Sequence, residues 1–288
     1  MNTWCYVFLL MCSSVISLSA QQGGFVRAPG TAYAKIGLSQ LSTTSIYDAA
    51  ATKSMIDEYR LVTVSAYGEV GITRGIMAIV DATFARIQSW KGAEAPSGIG
   101  DVSVGVRYAL ADSAWPISIG MMLDVPTGDA SAVAVRDGLR IPMPLGDGEA
   151  TLWLGGGISR SFWPIKAFAS ADVMVGLRGV AVGNHASAFN NGEFTHQVRA
   201  SLKAGYQVLP TMWLTAAIYT QQNVGSVDPT SFSAWGMGNG VAYTAWDVSA
   251  ITSLGSVDVS IGLSTAFVAP QSIYGGLNIL SGIAWRLE

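Results

Sequence analysis

The residues best suited to chemistry are ionisable side chains set at alternate positions of apolar runs: Glu69, Asp81, Arg107, Asp124, Asp172, Arg178, Arg199, Lys203 and Asp258. Each falls opposite a row of apolar neighbours. On a surface facing lipid, such a charge costs a few kcal/mol near the bilayer midplane. An interior lining is therefore their expected place. There they could filter solutes electrostatically, or pair with one another and brace the wall. The signs are mixed rather than those of a single-sign ring, which favours bracing.

Other chemistry has little support. The chain has two histidines. His185 falls in a loop, and His196 in register with lipid-facing residues at the outer end of a strand. Pairing of His196 with Ser201, or of His185 with Ser187, would suit a barrel-embedded lipid-modifying enzyme, but neither serine has a nucleophile context. No nucleophile elbow, glycine-rich phosphate loop or metal-spaced cluster occurs. No catalytic residue, metal or cofactor is expected. Two similar segments, Asp124 to Asp129 (DVPTGD) and Met143 to Gly148 (MPLGDG), read as turns in which Pro fixes φ, Gly permits positive φ and Asp caps. A calcium site is the other reading.

The elements that must position these residues are strands. Between Val102 and Val125, two runs alternate apolar and small or polar residues with a period of two, which places each apolar set on one face. Both are about as long as the 9–11 tilted residues that cross a bilayer as a barrel strand. The pattern recurs along the chain and gives twelve strands. Long connections (Thr43 to Asp57, Trp90 to Ser97, Pro126 to Gly148, Gly183 to Gly192, Gln222 to Asn239) alternate with short turns near Thr73, Asp112 to Trp115, Trp163-Pro164, Leu209 to Thr211 and Ser253 to Ser256. A soluble sandwich has no reason to sort its loops so. A transmembrane barrel does, with short periplasmic turns and long external loops. The expected fold is all-β: an antiparallel up-and-down transmembrane barrel of about twelve strands. Tyr67, Trp90, Trp115, Trp153, Trp163, Trp213, Trp235 and Trp285 lie near strand ends, where they fit interfacial girdles, ordinary packing being the other reading for some of them. Small inward residues (Gly105, Gly120, Gly155, Gly157, Ser201, Ser260, Gly262) leave space inside, which an inward-folded loop or leader could plug.

Composition agrees. The chain is 50% hydrophobic and only 12% charged, against about 25% in average soluble domains. A net charge of −3 argues against nucleic acid as a partner. Residues 1–20 read as a secretory signal cleaved near Ser19/Ala20, leaving residues 21–288 as a single barrel domain. Both cysteines, Cys5 and Cys12, lie in the signal, so a mature chain has no disulfide or thiolate site.

The segments YGEVGIT (Tyr67 to Thr73), GIGDVSVGVRY (Gly98 to Tyr108) and VPTGD (Val125 to Asp129) come in the order and approximate spacing of a known group. They resemble the outer-membrane "meta-pathway of phenol degradation" family, similar in style to FadL-type channels for hydrophobic compounds. The resemblance implies a bacterial outer-membrane barrel that passively admits small hydrophobic or aromatic compounds. Its partners would be the lipid bilayer, such apolar or aromatic solutes and the barrel-assembly machinery. The alternatives are a non-conducting structural or adhesion barrel and the lipid-modifying enzyme.

Overall fold

The computed structural model describes residues 23–111, 113–181, 194–227 and 233–287. Twelve long strands form the wall: β1 (Ala32–Tyr47), β2 (Lys53–Thr73), β3 (Ile76–Trp90), β4 (Val102–Ala111), β5 (Ile117–Val125), β6 (Glu149–Ser161), β7 (Ala167–Ala181), β8 (Gln197–Leu209), β9 (Met212–Asn223), β10 (Ala242–Leu254), β11 (Val257–Gln271) and β12 (Asn278–Leu287). Each pairs antiparallel with its sequence neighbours, and β12 returns to β1 from Ala32↔Leu287 to Leu41↔Asn278. The sheet is thus a closed barrel. Closure satisfies the backbone between strands and leaves no edge, which lipid demands. No described helix is long and apolar enough to cross a membrane, a fact that says nothing against crossing by strands.

Alternation explains the two faces. The β4–β5 register pairs Val104 with Leu123, Val106 with Met121 and Tyr108 with Ile119, so these side chains leave the wall together on the outside. Exposed apolar residues stand out from every strand, among them Ile36, Val70, Val80, Ile119, Leu154, Val173, Leu202, Ile218, Val248, Ile261 and Ile283. Soluble monomers rarely show contiguous apolar patches above a few hundred Å². A belt around the whole barrel is a surface for lipid.

The connections sort to two ends, with differences from expectation. Thr43 to Asp57 is mostly strand: Ser45↔Met55, Ile46↔Ser54 and Tyr47↔Lys53 carry the β1–β2 ladder up to the short connection 48–52. Polar side chains misled there, because a hairpin rising beyond the lipid has no apolar face to present. The segment 126–148 contains its own small hairpin, Val133–Arg136 with Leu139–Pro142. The expected loop Gly183 to Gly192 lies outside the described residues, His185 and Ser187 included. The apolar residues of the last segment do not share one face. Ile273 is buried inside the barrel before β12 begins, whereas Ile279 and Ile283 are exposed.

The aromatic girdle is also corrected. Trp115, Trp163 and Trp285 are exposed, but Tyr67, Trp153 and Trp235 are buried inside. Trp90 packs on Trp235 at 5.3 Å, and Trp213 on Phe168 at 5.8 Å between ring centroids. A barrel wider than the eight-stranded type has an interior to fill, and aromatic rings with a polar tip fill it while keeping a hydrogen-bond partner.

Candidate functional site

At the short-turn end, residues 23–31 fold into the barrel instead of trailing away. The Gly23 carbonyl accepts from the Arg107 guanidinium and from Ser118 Oγ at 2.8 Å, and the Gly24 N–H donates to Ser159 Oγ at 2.8 Å. Farther along, Arg27 Nε donates to Glu69 Oε2 at 2.6 Å and its guanidinium lies 5.0 Å from the centroid of the Tyr33 ring. The Gly30 N–H then reaches the Gly71 carbonyl at 2.9 Å. Glycine is required where the leader docks. A Cβ on Gly24 would stand 1.7 Å from the Pro116 carbonyl oxygen, and one on Gly71 would stand 2.0 Å from that of Ala28. The space beside inward glycines is used in the same way: a Cβ on Gly157 would meet Gly23 and Asp172, and one on Gly155 the Met174 strand. These glycines admit neighbours rather than leaving an open conduit.

Above the leader lies a layer of charges. Arg107 Nη2 and Asp172 Oδ1 pair at 2.8 Å, with side chains 4% and 2% exposed. Ser103 Oγ and Trp153 Nε1 donate to the two Asp124 oxygens at 2.6 and 2.7 Å. Arg199 lies 3.8 Å from the centroid of the Trp153 ring, and its Nε donates to Gln221 Oε1 at 2.8 Å.

A cavity of about 240 Å³ opens over this shelf. Its polar part includes Asp81, Arg86, Asp101, Asp124, Glu149 and Arg199, and its apolar part includes Leu41, Leu61, Tyr219, Trp235, Tyr243 and Tyr274. The loops close it at the far end. Trp235, from segment 224–241, packs against Tyr59 at 4.9 Å and Tyr274 at 5.6 Å, while Tyr59 and Tyr274 stack at 4.6 Å. Tyr59 Oη bonds Gln88 Oε1 at 2.6 Å and Tyr274 Oη at 2.7 Å, and Arg86 donates to the Trp235 carbonyl at 3.2 Å. Arg178 pairs with Glu149 and donates to the Gly238 carbonyl, and the Gly238 N–H donates to Asp147 Oδ1 at 2.9 Å. The interior is therefore amphipathic, with the leader seated at one end and loop residues packed into the other.

No family model matches the chain. No curated protein matches it either. Its fold is similar to that of solved outer-membrane barrels. An outer-membrane channel from Pseudomonas putida F1 superposes with a TM-score of 0.64 at 12% identity, over 91% of this chain and 97% of that one. The translocator domain of the autotransporter NalP from Neisseria meningitidis gives a TM-score of 0.51 at 14% identity, over 91% of this chain and 90% of that one. This is the fold of outer-membrane β-barrels. The two neighbours are a channel and a translocator domain, so the interior must decide what this barrel does.

The structure places all of the ionisable residues singled out in the sequence inside the wall. It joins Arg107 to Asp172, ties Asp258 to Arg286 at 3.2 Å and Glu69 to Arg27, and brings Asp81, Asp124 and Arg199 to one cavity. Arg178 holds a loop, and Lys203 makes no ion pair among the described residues, with Asp247, Glu69 and Asp172 acting on it from farther away. His196 precedes β8 and its Nδ1 accepts the Arg178 backbone N–H at 3.1 Å. It is exposed rather than paired with the inward Ser201. Sequence reading missed Arg27, Lys35, Arg86, Asp101, Glu149 and Asp247. Strand parity alone identifies Lys35, Glu149 and Asp247. Arg86 has no such signal, because a bulge between Val64↔Ala85 and Ser65↔Thr83 switches the parity of β3.

Asp101 explains the two similar turn segments. Its carboxylate accepts the Gly128 N–H at 3.0 Å and the Asp147 N–H at 2.8 Å, so both turns are pinned to one side chain. No metal-holding group of His, Cys, Asp and Glu occurs among the described residues. Burial, aided by the Asp147 charge, pushes the Asp101 carboxyl up from 3.8 to about 6, against the pull of those two N–H donors. The folded protein therefore holds this proton more tightly than the unfolded chain. That stabilisation is complete below about pH 4 and is lost as pH rises through about 6. The gap corresponds to about 3 kcal/mol. Segment 126–148 is expected to exchange its amide hydrogens faster at pH 7 than at pH 4, after correction for intrinsic rates, and Asp101→Asn to flatten that difference. Equal protection at both pH values in the native protein would refute the assignment.

Proposed function

We propose that this barrel is a bacterial outer-membrane channel for passive movement of small hydrophobic or aromatic compounds, reached after export by a signal within residues 1–20. Its long loops would face outward and its short turns the periplasm. The observation that carries this reading is the cavity of about 240 Å³ inside the wall, bounded by Tyr219, Trp235, Tyr243 and Tyr274 and floored by hydrogen-bonding side chains. A dry apolar cavity of about 150 Å³ already takes up benzene in another protein, so the volume suits one aromatic ring with a small substituent. The resemblance of residues 67–129 to the phenol-degradation family supports the same solute class. The fold shared with an outer-membrane channel supports a barrel of that architecture and says nothing of the solute.

The test is permeation by the purified, folded protein: uptake of a small aromatic into liposomes, measured beside bilayer conductance. Uptake with little ion current is expected, since the leader and the loop segments narrow the two ends and most interior charges are paired. Large conductance with entry of hydrophilic solutes would mean a general pore and remove the apolar preference. Silence in both assays would leave a structural barrel presenting its loops.

A further inference from the structure

Below the leader, at the short-turn mouth, a second hollow of about 550 Å³ opens between the leader, β7, β8 and β9. Its walls are aromatic: Phe25 from the leader, Trp163 from the β6–β7 turn, Phe168 from β7 and Trp213 from β9. Phe168 and Trp213 lie 5.8 Å apart at 47°, a tilted pair that leaves ring faces toward the hollow. Gly205 makes the position of Phe168 attainable, since a Cβ there would fall 2.2 Å from the ring. The polar groups are few: Ser161, Ser170, Gln207, and two ammonium groups. Lys166 sits on the turn, and Lys203 lies on the inward face of β8, in register with Ser170.

Lys203 is the unusual element. Four guanidinium groups have carboxylates: Arg107 has Asp172, Arg178 has Glu149, Arg27 has Glu69 and Arg286 has Asp258, while Arg199 and Arg86 rest on an aromatic ring and on neutral oxygens. Lys203 has neither a hydrogen bond nor an ion pair among the described residues. Its neighbourhood does not compensate it fully. Lys35 lies near enough to repel it, Asp172 and Glu69 are already paired, and Asp247, which Ser249 Oγ holds at 3.2 Å, acts on both lysines from beyond ion-pair distance. The hollow itself contributes no carboxylate. An unpaired cation beside apolar walls is unfavourable until an anion joins it. Ligand sites have this composition, mostly apolar with a few placed polar groups, and this size.

We propose that this vestibule is a binding site for small aromatic carboxylates, the carboxylate on Lys203 and the ring among Phe25, Phe168, Trp163 and Trp213. The site is separate from the closed cavity above the leader, and it stands whether or not the barrel conducts.

Benzoate and its neutral isostere benzamide test the site, titrated calorimetrically into the full-length protein held in lipid nanodiscs. Benzoate is expected to bind about tenfold tighter than benzamide, the preference that one charge-assisted contact of about 1.4 kcal/mol gives. Lys203→Met is expected to bring benzoate down to the benzamide level, Lys203→Arg to keep it, and Trp213→Ala to weaken both ligands. Retained resistance of the folded barrel to detergent unfolding identifies variants that kept their structure. Equal binding of the two ligands, or benzoate binding indifferent to Lys203→Met, overturns the proposal. Uptake of neutral aromatics without benzoate binding would leave the channel reading standing while this site falls. Benzoate binding without any uptake would do the reverse.

Discussion

Valine at Gly24 is expected to speed tryptic cleavage after Arg27 by two to three orders of magnitude in the folded barrel. In the native protein this bond is guarded. Arg27 is held by Glu69 and Tyr33, and the stretch before it is buried under Arg107, Ser118 and Ser159. A Cβ 1.7 Å from a backbone oxygen cannot be accommodated, and Pro116, which supplies that oxygen, is itself backbone in a tight turn. The leader must therefore leave its seat. Leaving forfeits the Gly24–Ser159 bond and two bonds to the Gly23 carbonyl, one of them from a guanidinium. At about 1 kcal/mol for neutral bonds and 1.5–3 for charged ones, the loss is about 3–5 kcal/mol. Each 1.4 kcal/mol is tenfold in the open population, and proteolysis tracks that population when reclosing is fast. The measurement is the rate at which the peptide ending at Arg27 appears by mass spectrometry. An unchanged rate would show that the leader is not seated by these contacts. If bilayer conductance rises in the same variant, the leader is also the narrower of the two stops.

The second large effect belongs to the ion pair beneath which the leader docks. Arg107→Met is expected to destabilise the barrel by about 3–5 kcal/mol, the usual cost of leaving a buried charge without its partner. Asp172 is the charge stranded, enclosed at 2% exposure. The same substitution removes a donor from the Gly23 carbonyl, so cleavage after Arg27 should also accelerate. Adding Asp172→Asn to Arg107→Met should recover part of the loss, because the stranded charge is gone while the shape is nearly kept. Urea midpoints in lipid vesicles read both effects. A single variant within 1 kcal/mol of the native protein, or a double variant no better than the single, would mean that lumen water already screens the pair.

Much of this molecule is written in local pattern. Period-two alternation set the inward and outward faces of Glu58 to Val70, Val102 to Leu110 and Ile117 to Val125, because successive strand side chains must point to opposite faces. The same parity put Glu69, Arg107, Asp172, Arg178, Arg199 and Lys203 inside, since a lipid-facing charge is too costly. Short turns alternating with long segments then required an up-and-down barrel, and twelve strands followed by counting. Polar hairpins were harder to read: Ser45 and Ser54 extend a ladder that carries no apolar signature.

The tertiary structure alone decided how the charges are used and how the barrel is shut. Local parity says that Asp124 points inward; only the closed wall brings Trp153 Nε1 to it and sets Arg199 over the same ring. Arg86 turns inward through a bulge, a backbone irregularity with no residue signature in β3. Nothing local in Gly23 to Gly30 announces a seat inside the barrel. Its glycines read as a flexible leader until Pro116, Ser159 and Gly71, far apart in sequence, are brought around it. Trp235 likewise belongs to a polar loop by sequence and to the aromatic lid by structure, where Tyr59, Trp90 and Tyr274 converge from two strands and a turn. Side-chain direction is a property of neighbours along the chain. What lies opposite across the lumen is a property of strand count, register and closure, which no single stretch contains.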